Sequence, residues 1–489
     1  MPQARSLIWF RSDLRVRDNT ALFNACRRAG GRAGAGVVGV FLLSPGEWRS
    51  HDYAPVRVDL ILRSLAELGA SLAELNIPLV IETAPDAARI PAILTALAKK
   101  HQCPEIHFNK EHELNESRRD EAVIAAFQKS GLQAFAHTDQ VCFEPGTIRT
   151  GEGRFFTIYS PFKRACFKQW DAIGGTPALA APSPQAEIPI TSSPVPRSVD
   201  GWKSTVAPER WPPGESAALK RLKSFARQSI IDYKDRRDIP GIDGTSQLSP
   251  YLTVGCISHR QCIEAAIEAN LAANPKLKGN PLENGSAGPV HWISEVLWRE
   301  FYIHVMVGFP RICMHRAFQS ATEAIRWDDN PKRFEAWKAG RTGVPIVDAG
   351  MRQLLRDGWM HNRVRMIVAM YFTKDLFLDW RTGEKWFMQN LVDGFLASNN
   401  GGWQWSASTG TDAAPYFRIF NTYNQSEKFD PDGKYIREFV PELRDVQGEA
   451  IHDPGRLPGL LRTRLDYPEP LVDRVKARDR AIEAFKRLR

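Results

Sequence analysis

The first third of the chain alternates short apolar runs with segments of helical periodicity. The runs LIWF, GVVGVFLL, PLVIE and EIHF occupy residues 7–10, 36–43, 78–82 and 105–108. Runs of this length with few polar residues are typical of parallel strands buried on both faces. Residues 54–75 and 86–100 instead repeat apolar side chains at helical spacing. The alternation predicts an N-terminal doubly wound α/β domain with a parallel sheet of about five strands.

The middle of the chain changes in composition. Residues 175–215 are rich in Pro, Ala and Ser and have no periodicity, which is typical of a connector that runs over the surface. Beyond residue 216 the periodicity is almost wholly helical as far as residue 400. We therefore predict an α/β domain over residues 1–140, a connector over 141–215 and an all-α domain over 216–489.

Charge and cysteine usage narrow the class of protein. The net charge of +9 favours a polyanionic partner. The seven cysteines occur singly, so neither a zinc site nor a disulfide framework is predicted, and free thiols suit a reducing compartment. The first 15 residues have too few apolar positions for a signal peptide, and no run approaches the roughly 20 apolar residues of a membrane span. These features predict a cytoplasmic protein without a metal.

Residues 291–302, HWISEVLWREFY, combine aromatic and charged side chains on one predicted helix face. The residues that share this face are Trp292, Glu295, Trp298, Arg299 and Tyr302. A buried face carries Glu and Arg only when they pair with each other or with a ligand. Both interpretations remain open from this segment alone: an internal Glu295–Arg299 ion pair among core tryptophans, or a binding site.

Two later segments favour the binding site. GWMHNRVRM at 358–366 again mixes aromatic and basic residues, which suits nucleic acid because phosphates take the charge and bases stack. NNGGWQW at 399–405 places two tryptophans one residue apart, directly after two glycines. Glycine allows a backbone or a ligand to approach closely. The surrounding amides and hydroxyls indicate that something flat and partly polar packs against this segment.

Together these segments resemble the photolyase/cryptochrome family over nearly the whole chain. The matching blocks are LIWFRSDLRVRDNTAL, GTSQLS, WREFY, GWMHNR, NNGGWQW, GTDAAPYFRIFN and KFDPDGKYIREFVPEL. Within the family, the chain is most similar to microbial class I enzymes that repair cyclobutane pyrimidine dimers with light. The resemblance implies the photolyase fold, with an α/β domain followed by an all-α FAD-binding domain. It also implies ultraviolet-damaged DNA as the partner, and a monomer that needs no obligate protein partner.

The resemblance also implies roles around the flavin. Asn399 would face flavin N5, where its amide can accept a hydrogen bond but does not titrate. Arg365 with Asp393 would flank the ring system, and a fixed positive charge there would favour the reduced anion. Trp403, Trp380 and Trp327 would relay electrons to oxidised flavin. The other residues implied to contact the cofactor are Tyr233, Thr245, Ser246, Gln247, Leu248, Ser249, Trp292, Arg299, Asn362 and Gly394.

A second set of residues would hold the lesion and the DNA. Trp298 and Trp405 would stack on either side of the flipped dimer. Glu295 would donate a hydrogen bond to the dimer, which requires the carboxyl to be protonated. The remaining implied contacts to lesion or DNA are Arg237, Tyr302, Asn362, Arg363, Met366 and Arg418.

The chain departs from the family pattern at several positions. Phe395 stands where the family usually has an acid, so a hydrogen-bond acceptor near the flavin is missing. Gln247 and Thr422 are further departures, which we expect to matter less.

Asn115 and Glu116, in FNKEHELNESRRD, match the folate-antenna form, although the same motif is also typical of the start of a surface helix. Met314 replaces a lysine that is frequent in that form.

We therefore predict 5,10-methenyltetrahydrofolate as the antenna, with deazaflavin, FMN or no antenna left open. Two other functions also remain open. A cryptochrome would sense light through the flavin and repair nothing. A (6-4) photolyase would use active-site histidines, for which His361 is the candidate.

Overall fold

The N-terminal domain is built on one parallel sheet. The computed structural model describes residues 4–31 and 34–488. Its strands lie in the order β3-β2-β1-β4-β5, with every neighbouring pair parallel. They are β1 (Ser6–Phe10), β2 (Val37–Leu43), β3 (Leu79–Thr83), β4 (Glu105–Asn109) and β5 (Gln133–His137). The doubly wound sheet predicted from the apolar runs is confirmed.

Burial explains which strands the sequence revealed. Every residue of β1, β2 and β4 is buried; β1 and β2 are almost wholly apolar runs, whereas β4 (EIHFN) alternates apolar Ile106 and Phe108 with buried polar residues. β5 lies at the edge of the sheet and is only half-buried, and its sequence QAFAH contains no such run. The count of about five strands is correct, but the pattern does not locate β5.

The helices cover the sheet and then form the whole of the second domain. In the first domain they are α1 (Thr20–Arg28), α2 (Pro45–Ser50), α3 (Pro55–Glu74), α4 (Ile90–Lys100) and α5 (Leu114–Lys129). Next come α6 (Tyr159–Ile173), α7 (Gly214–Gln228), α8 (Tyr233–Arg236), α9 (Ser249–Val254), α10 (His259–Ala273) and α11 (Ala287–Gly308). The last group is α12 (Pro331–Lys338), α13 (Pro345–Asp357), α14 (Asn362–Met370), α15 (Trp380–Met388), α16 (Leu396–Ala407), α17 (Thr422–Phe429), α18 (Lys434–Phe439), α19 (Gly459–Thr463) and α20 (Arg474–Lys486).

The helical pattern at 383–397 is interrupted in the structure. α15 ends at Met388 and α16 begins at Leu396. Between them the N–H of Val392 donates to the carbonyl of Gly358 (2.7 Å), and Asp393 pairs with Arg365. These tertiary contacts outweigh the local helical periodicity. α16 then runs through Gly401 and Gly402, although each glycine costs a helix about 1 kcal/mol relative to alanine.

A buried ion network joins the two domains. Arg15 and Arg260 both pair with Asp139, at 2.6 and 2.9 Å, and Arg260 also binds Asp18 at 2.9 Å. Burial opposes the charge of Asp139, but the two guanidinium groups outweigh it and lower the pKa of this carboxyl. The network fixes the end of the sheet against α10.

None of the described helices is long and apolar enough to cross a membrane.

Candidate active site

The helical domain contains a cavity of about 510 Å³, a volume typical of sites for small ligands. It collects most of the residues predicted from the motifs. Those that line it are Tyr233, Arg237, Thr245, Ser246, Gln247, Leu248, Ser249, Trp292, Glu295, Trp298, Arg299, Tyr302, Asn362, Arg365, Met366, Asp393, Asn399, Trp403 and Trp405. Segments separated by up to 170 positions in the sequence therefore contribute to one site.

The charged residues of α11 do not form the Glu295–Arg299 ion pair considered for this segment. The carboxylate of Glu295 accepts a hydrogen bond from Arg237 and not from Arg299, so an internal Glu295–Arg299 pair is wrong. Burial opposes the charge of Arg237, but Glu295 outweighs it and raises the pKa of the guanidinium.

Arg299 occupies a different environment on the same helix. Its Nη1 donates to the carbonyl of Gln140 (3.1 Å), and its guanidinium lies 4.3 Å from the centre of the Phe395 ring. No carboxylate of the described residues lies within 4.0 Å of it. Burial lowers the pKa of Arg299 to about 10. The guanidinium therefore remains charged at neutral pH.

Trp298 is held in place by an aromatic neighbour. The ring of Tyr159 stacks on it with 3.7 Å between centroids and 13° between planes. The hydroxyl of Tyr159 bonds to Ser294 one turn earlier on α11, at 2.7 Å from its Oγ. One face of Trp298 is thus covered, and the side chain still lines the cavity together with Trp405. A rigid aromatic wall of this kind suits stacking on a planar ligand.

The first turn of α16 presents an amide to the cavity, which a partly buried ion pair also lines. Nδ2 of Asn399 donates to the carbonyl of Glu384 (3.0 Å), which leaves its Oδ1 as an acceptor. Arg365 donates to both oxygens of Asp393, at 3.0 and 2.8 Å. The fixed positive charge expected at Arg365 is therefore balanced by its own partner. The N–H of Asn399 bonds to the carbonyl of Phe395 (2.9 Å), so both residues belong to the same turn.

The three tryptophans of the predicted relay lie in and against one apolar cluster. Trp403 and Trp380 are buried within it, and Trp327 packs against it from a partly exposed position. Gly383 of α15 allows Trp403 to approach, because a methyl group at this position would overlap the indole ring. Of the three, only Trp403 also lines the cavity, and their role as an electron relay stays a prediction.

Other predicted residues lie outside the cavity. Gly394 accepts a hydrogen bond from Arg57 of α3 through its carbonyl (2.5 Å). Arg363 pairs with Asp238 at 2.8 Å, near the cavity residue Arg237, and Arg418 is exposed. His361 is buried as the N-cap of α14, and burial lowers its pKa to about 4. It is not among the described residues that line the cavity.

Asn115 and Glu116 form part of a separate corner on α5. His51 bonds to both of them, with Nδ1 at 3.0 Å from the Glu116 carboxylate and Nε2 at 3.2 Å from the Asn115 amide. Burial, together with the neighbouring charge of Glu116, raises the pKa of Glu113 to about 8. Met314 is half-exposed. This corner therefore offers imidazole, amide and carboxyl groups to a polar ligand.

Sequence reasoning missed residues that act through packing. Tyr159 lies in the predicted connector, and no motif there indicates its stacking on Trp298. Trp337 packs edge-on against Trp403 with 6.1 Å between centroids, far from it in sequence. Ser398, Gly402 and Ser406 line the cavity at helical spacing, which a search for small residues on one helix face would have found.

The fold and the cavity define a protein that holds a flat, partly polar ligand within a helical domain. Residues 292–487 match the FAD binding domain of DNA photolyase, and residues 6–185 match the DNA photolyase model. A deoxyribodipyrimidine photo-lyase of Salmonella typhimurium is 41% identical over 99% of this chain and 98% of its own. The chain belongs to the DNA photolyase family, and its helical domain binds FAD.

Solved structures agree with this assignment. A class III photolyase from Agrobacterium tumefaciens superposes with a TM-score of 0.85 at 34% identity, covering 100% of this chain and 98% of its own. A cryptochrome from Synechocystis superposes with a TM-score of 0.84 at 26% identity, covering 99% of both chains. The fold is thus similar to a photolyase and to a cryptochrome, and only the site can separate the two functions.

At two glycines near the cavity, an added methyl group should have different effects. Gly383→Ala should destabilise the protein by about 1–3 kcal/mol, because the new methyl group overlaps the Trp403 ring. Gly402→Ala should fold normally, because nothing lies within 4 Å of the new atom, but it should bind FAD more weakly by narrowing the cavity. Urea unfolding and FAD titration measure the two effects. Equal stability of both variants would contradict the packing of Trp403 against Gly383.

Proposed function

We propose that this protein repairs cyclobutane pyrimidine dimers in DNA, using light absorbed by reduced FAD. The observation that carries the proposal is that one cavity contains both predicted sets of residues. Asn399 and the Arg365–Asp393 pair, expected beside the flavin, line it together with Trp298 and Trp405, expected beside the lesion. A cofactor and a flipped pyrimidine dimer held in one cavity would be in direct contact.

The residues present suit the two ends of FAD. Thr245, Ser246 and Ser249 offer hydroxyl groups at one wall, where phosphate oxygens need hydrogen-bond donors. Asn399 offers an acceptor at another, and its amide is oriented by Glu384. Bound in its reduced form, FAD would supply an excited-state electron, which returns after the two bonds that join the pyrimidines have broken. The repair therefore causes no net oxidation or reduction.

The lesion would be held by stacking and by a carboxyl group. Trp298, backed by Tyr159, and Trp405 would stack on the flipped dimer, at about 1–3 kcal/mol per stacked base. That energy could offset the few kcal/mol needed to extrude a lesion that is already poorly stacked.

Glu295 has a partner that DNA can remove. We propose that Arg237 exchanges the Glu295 carboxylate for a DNA phosphate when the lesion binds. The Glu295 side chain would then be free to form its hydrogen bond with the dimer. Arg363, paired with Asp238 beside Arg237, and the exposed Arg418 would add phosphate contacts.

Two other functions fit less well. A photosensor without repair activity would not need an aromatic lesion chamber and a carboxyl group beside the flavin. A (6-4) photolyase would place histidine in the cavity, but His361 is buried as a helix cap. The substrate is cellular DNA, so we propose that the protein acts in the cytoplasm on the nucleoid, as a monomer.

Illumination of a thymine-dimer oligonucleotide with the reduced protein tests the function. We expect the wild type to restore thymines, and Glu295→Ala to lower the yield per absorbed photon more than it lowers affinity. Glu295→Gln should retain more yield than Glu295→Ala, because its amide can still donate. Trp298→Ala and Trp405→Ala should instead weaken binding roughly ten- to a hundredfold.

Trp170→Ala is the matched control, since this partly buried tryptophan of α6 lies outside the cavity. Dimers that persist after illumination of fully reduced protein would overturn the proposed function. Unchanged affinity in both cavity variants would reject the stacking roles.

We further propose that the corner around His51, Asn115 and Glu116 binds the antenna, with 5,10-methenyltetrahydrofolate as the ligand. The amide and carboxyl groups suit the donors and acceptors of a pterin ring. Position 314 is Met, so no lysine stands there to pair with the anionic glutamate tail of the folate.

An absorption spectrum of freshly purified protein tests the antenna. Folate should add a near-ultraviolet band to the flavin spectrum, and Glu116→Gln should diminish that band without reducing FAD content. A band further into the visible would indicate deazaflavin instead. A pure flavin spectrum after addition of the folate would reject the proposal.

A further inference from the structure

The charges that line the cavity do not balance. Three arginines and two carboxylates line it, which leaves one positive charge. Arg237 pairs with Glu295, and Arg365 pairs with Asp393. Arg299 is therefore the source of the excess charge. The cation that the sequence suggested beside the flavin, Arg365, is already neutralised by its partner.

The acidic neighbours of Arg299 form no ion pair with it. Glu113 and Glu300 act on its charge electrostatically from outside the cavity and beyond ion-pair distance. The two oxygens of Glu300 accept the backbone N–H groups of Cys142 and Phe143, each at 3.0 Å. Burial and the charge of Glu116 raise the pKa of Glu113 to about 8, so this carboxyl is largely protonated at neutral pH.

Phe395 occupies the place where a partner for Arg299 could stand. Its ring lies 4.3 Å from the guanidinium and offers only the weak attraction of a cation–π contact. Phe395 is the N-cap residue of α16, and its carbonyl accepts the N–H of Asn399. The guanidinium of Arg299 therefore lies against a residue that stands one helical turn before Asn399, the residue expected to face the flavin ring.

We propose that Phe395 leaves Arg299 without a carboxylate partner, so that the ring end of the cavity carries a net positive charge that selects the reduced, anionic form of FAD. This inference rests on the proposed function and specifies how the site sets its cofactor's redox state. Phe395 is a positioning residue in this scheme, because it acts through Arg299. A positive charge close to the ring system stabilises the anion relative to the neutral oxidised form.

The reduction potential of bound FAD in the dark tests the inference without reference to repair. Phe395→Asp should pair Arg299 and lower the reduced-to-oxidised ratio about tenfold at a given solution potential. For a two-electron couple that ratio corresponds to a shift of about 30 mV to lower potential. In addition, the reduced flavin of this variant should accept a proton at higher pH than the wild type does.

Phe395→Asn is the matched control, since Asn has nearly the size and polarity of Asp but no charge. Its potential should stay close to that of the wild type. Equal shifts in the Asn and Asp variants, or no shift in the Asp variant, would overturn the inference. Arg299→Gln removes the positive charge itself and should lower the reduction potential as Phe395→Asp does. An unchanged potential in Arg299→Gln would also overturn the inference.

The proposed function and the role of Phe395 and Arg299 can be contradicted separately. A protein that binds no FAD, or that leaves dimers intact when fully reduced, contradicts the proposed function. If the protein repairs dimers but the reduction potential of its FAD does not change with the charge at residue 395, only the role of Phe395 and Arg299 is contradicted.

Discussion

The close approach of α16 to α11 determines the geometry of the cavity. Gly401 makes it possible, because a methyl group at that position would overlap the ring of Tyr302 on α11. Gly383 does the same for α15, where the indole of Trp403 occupies the space of a side chain. The two glycines bring three helices together while the next residue, Gly402, faces open space. A flat ligand can then lie between helices that are otherwise tightly packed.

The same packing explains how polar chemistry is kept inside a helical domain. Partly buried charges in the cavity wall are tolerated because most are paired, as Arg365 with Asp393 and Arg237 with Glu295 are. Arg299 is the exception within the cavity wall. An exception of this kind, where burial disfavours an unpaired charge, is informative about the ligand that the site accepts. We expect the aromatic walls and the amide of Asn399 to orient that ligand without adding further charge.

The sequence was sufficient for the parts of the structure that depend on local pattern. Strands β1 and β2 are apolar runs because both faces are buried, and α3 follows its periodicity almost to the residue. The edge strand β5 and the break between α15 and α16 were not predicted, because partial exposure and long-range contacts decide them.

Within the site, the motifs indicated which residues converge but not how they pair. The choice of Arg237 over Arg299 as the partner of Glu295 depends on the placement of α8 against α11, which no spacing reveals. The stacking of Tyr159 on Trp298 likewise joins segments about 140 residues apart. The departure at Phe395 was visible in the sequence, whereas its effect on Arg299 required the geometry.

The central claim is that reduced flavin and the pyrimidine dimer occupy one cavity in direct contact. The fluorescence lifetime of the reduced flavin, measured with and without dimer-containing DNA, tests this contact most directly. Electron transfer to an adjacent dimer should shorten the lifetime, and undamaged DNA of the same sequence should leave it unchanged. A lifetime that does not respond to a saturating amount of the dimer would contradict the account.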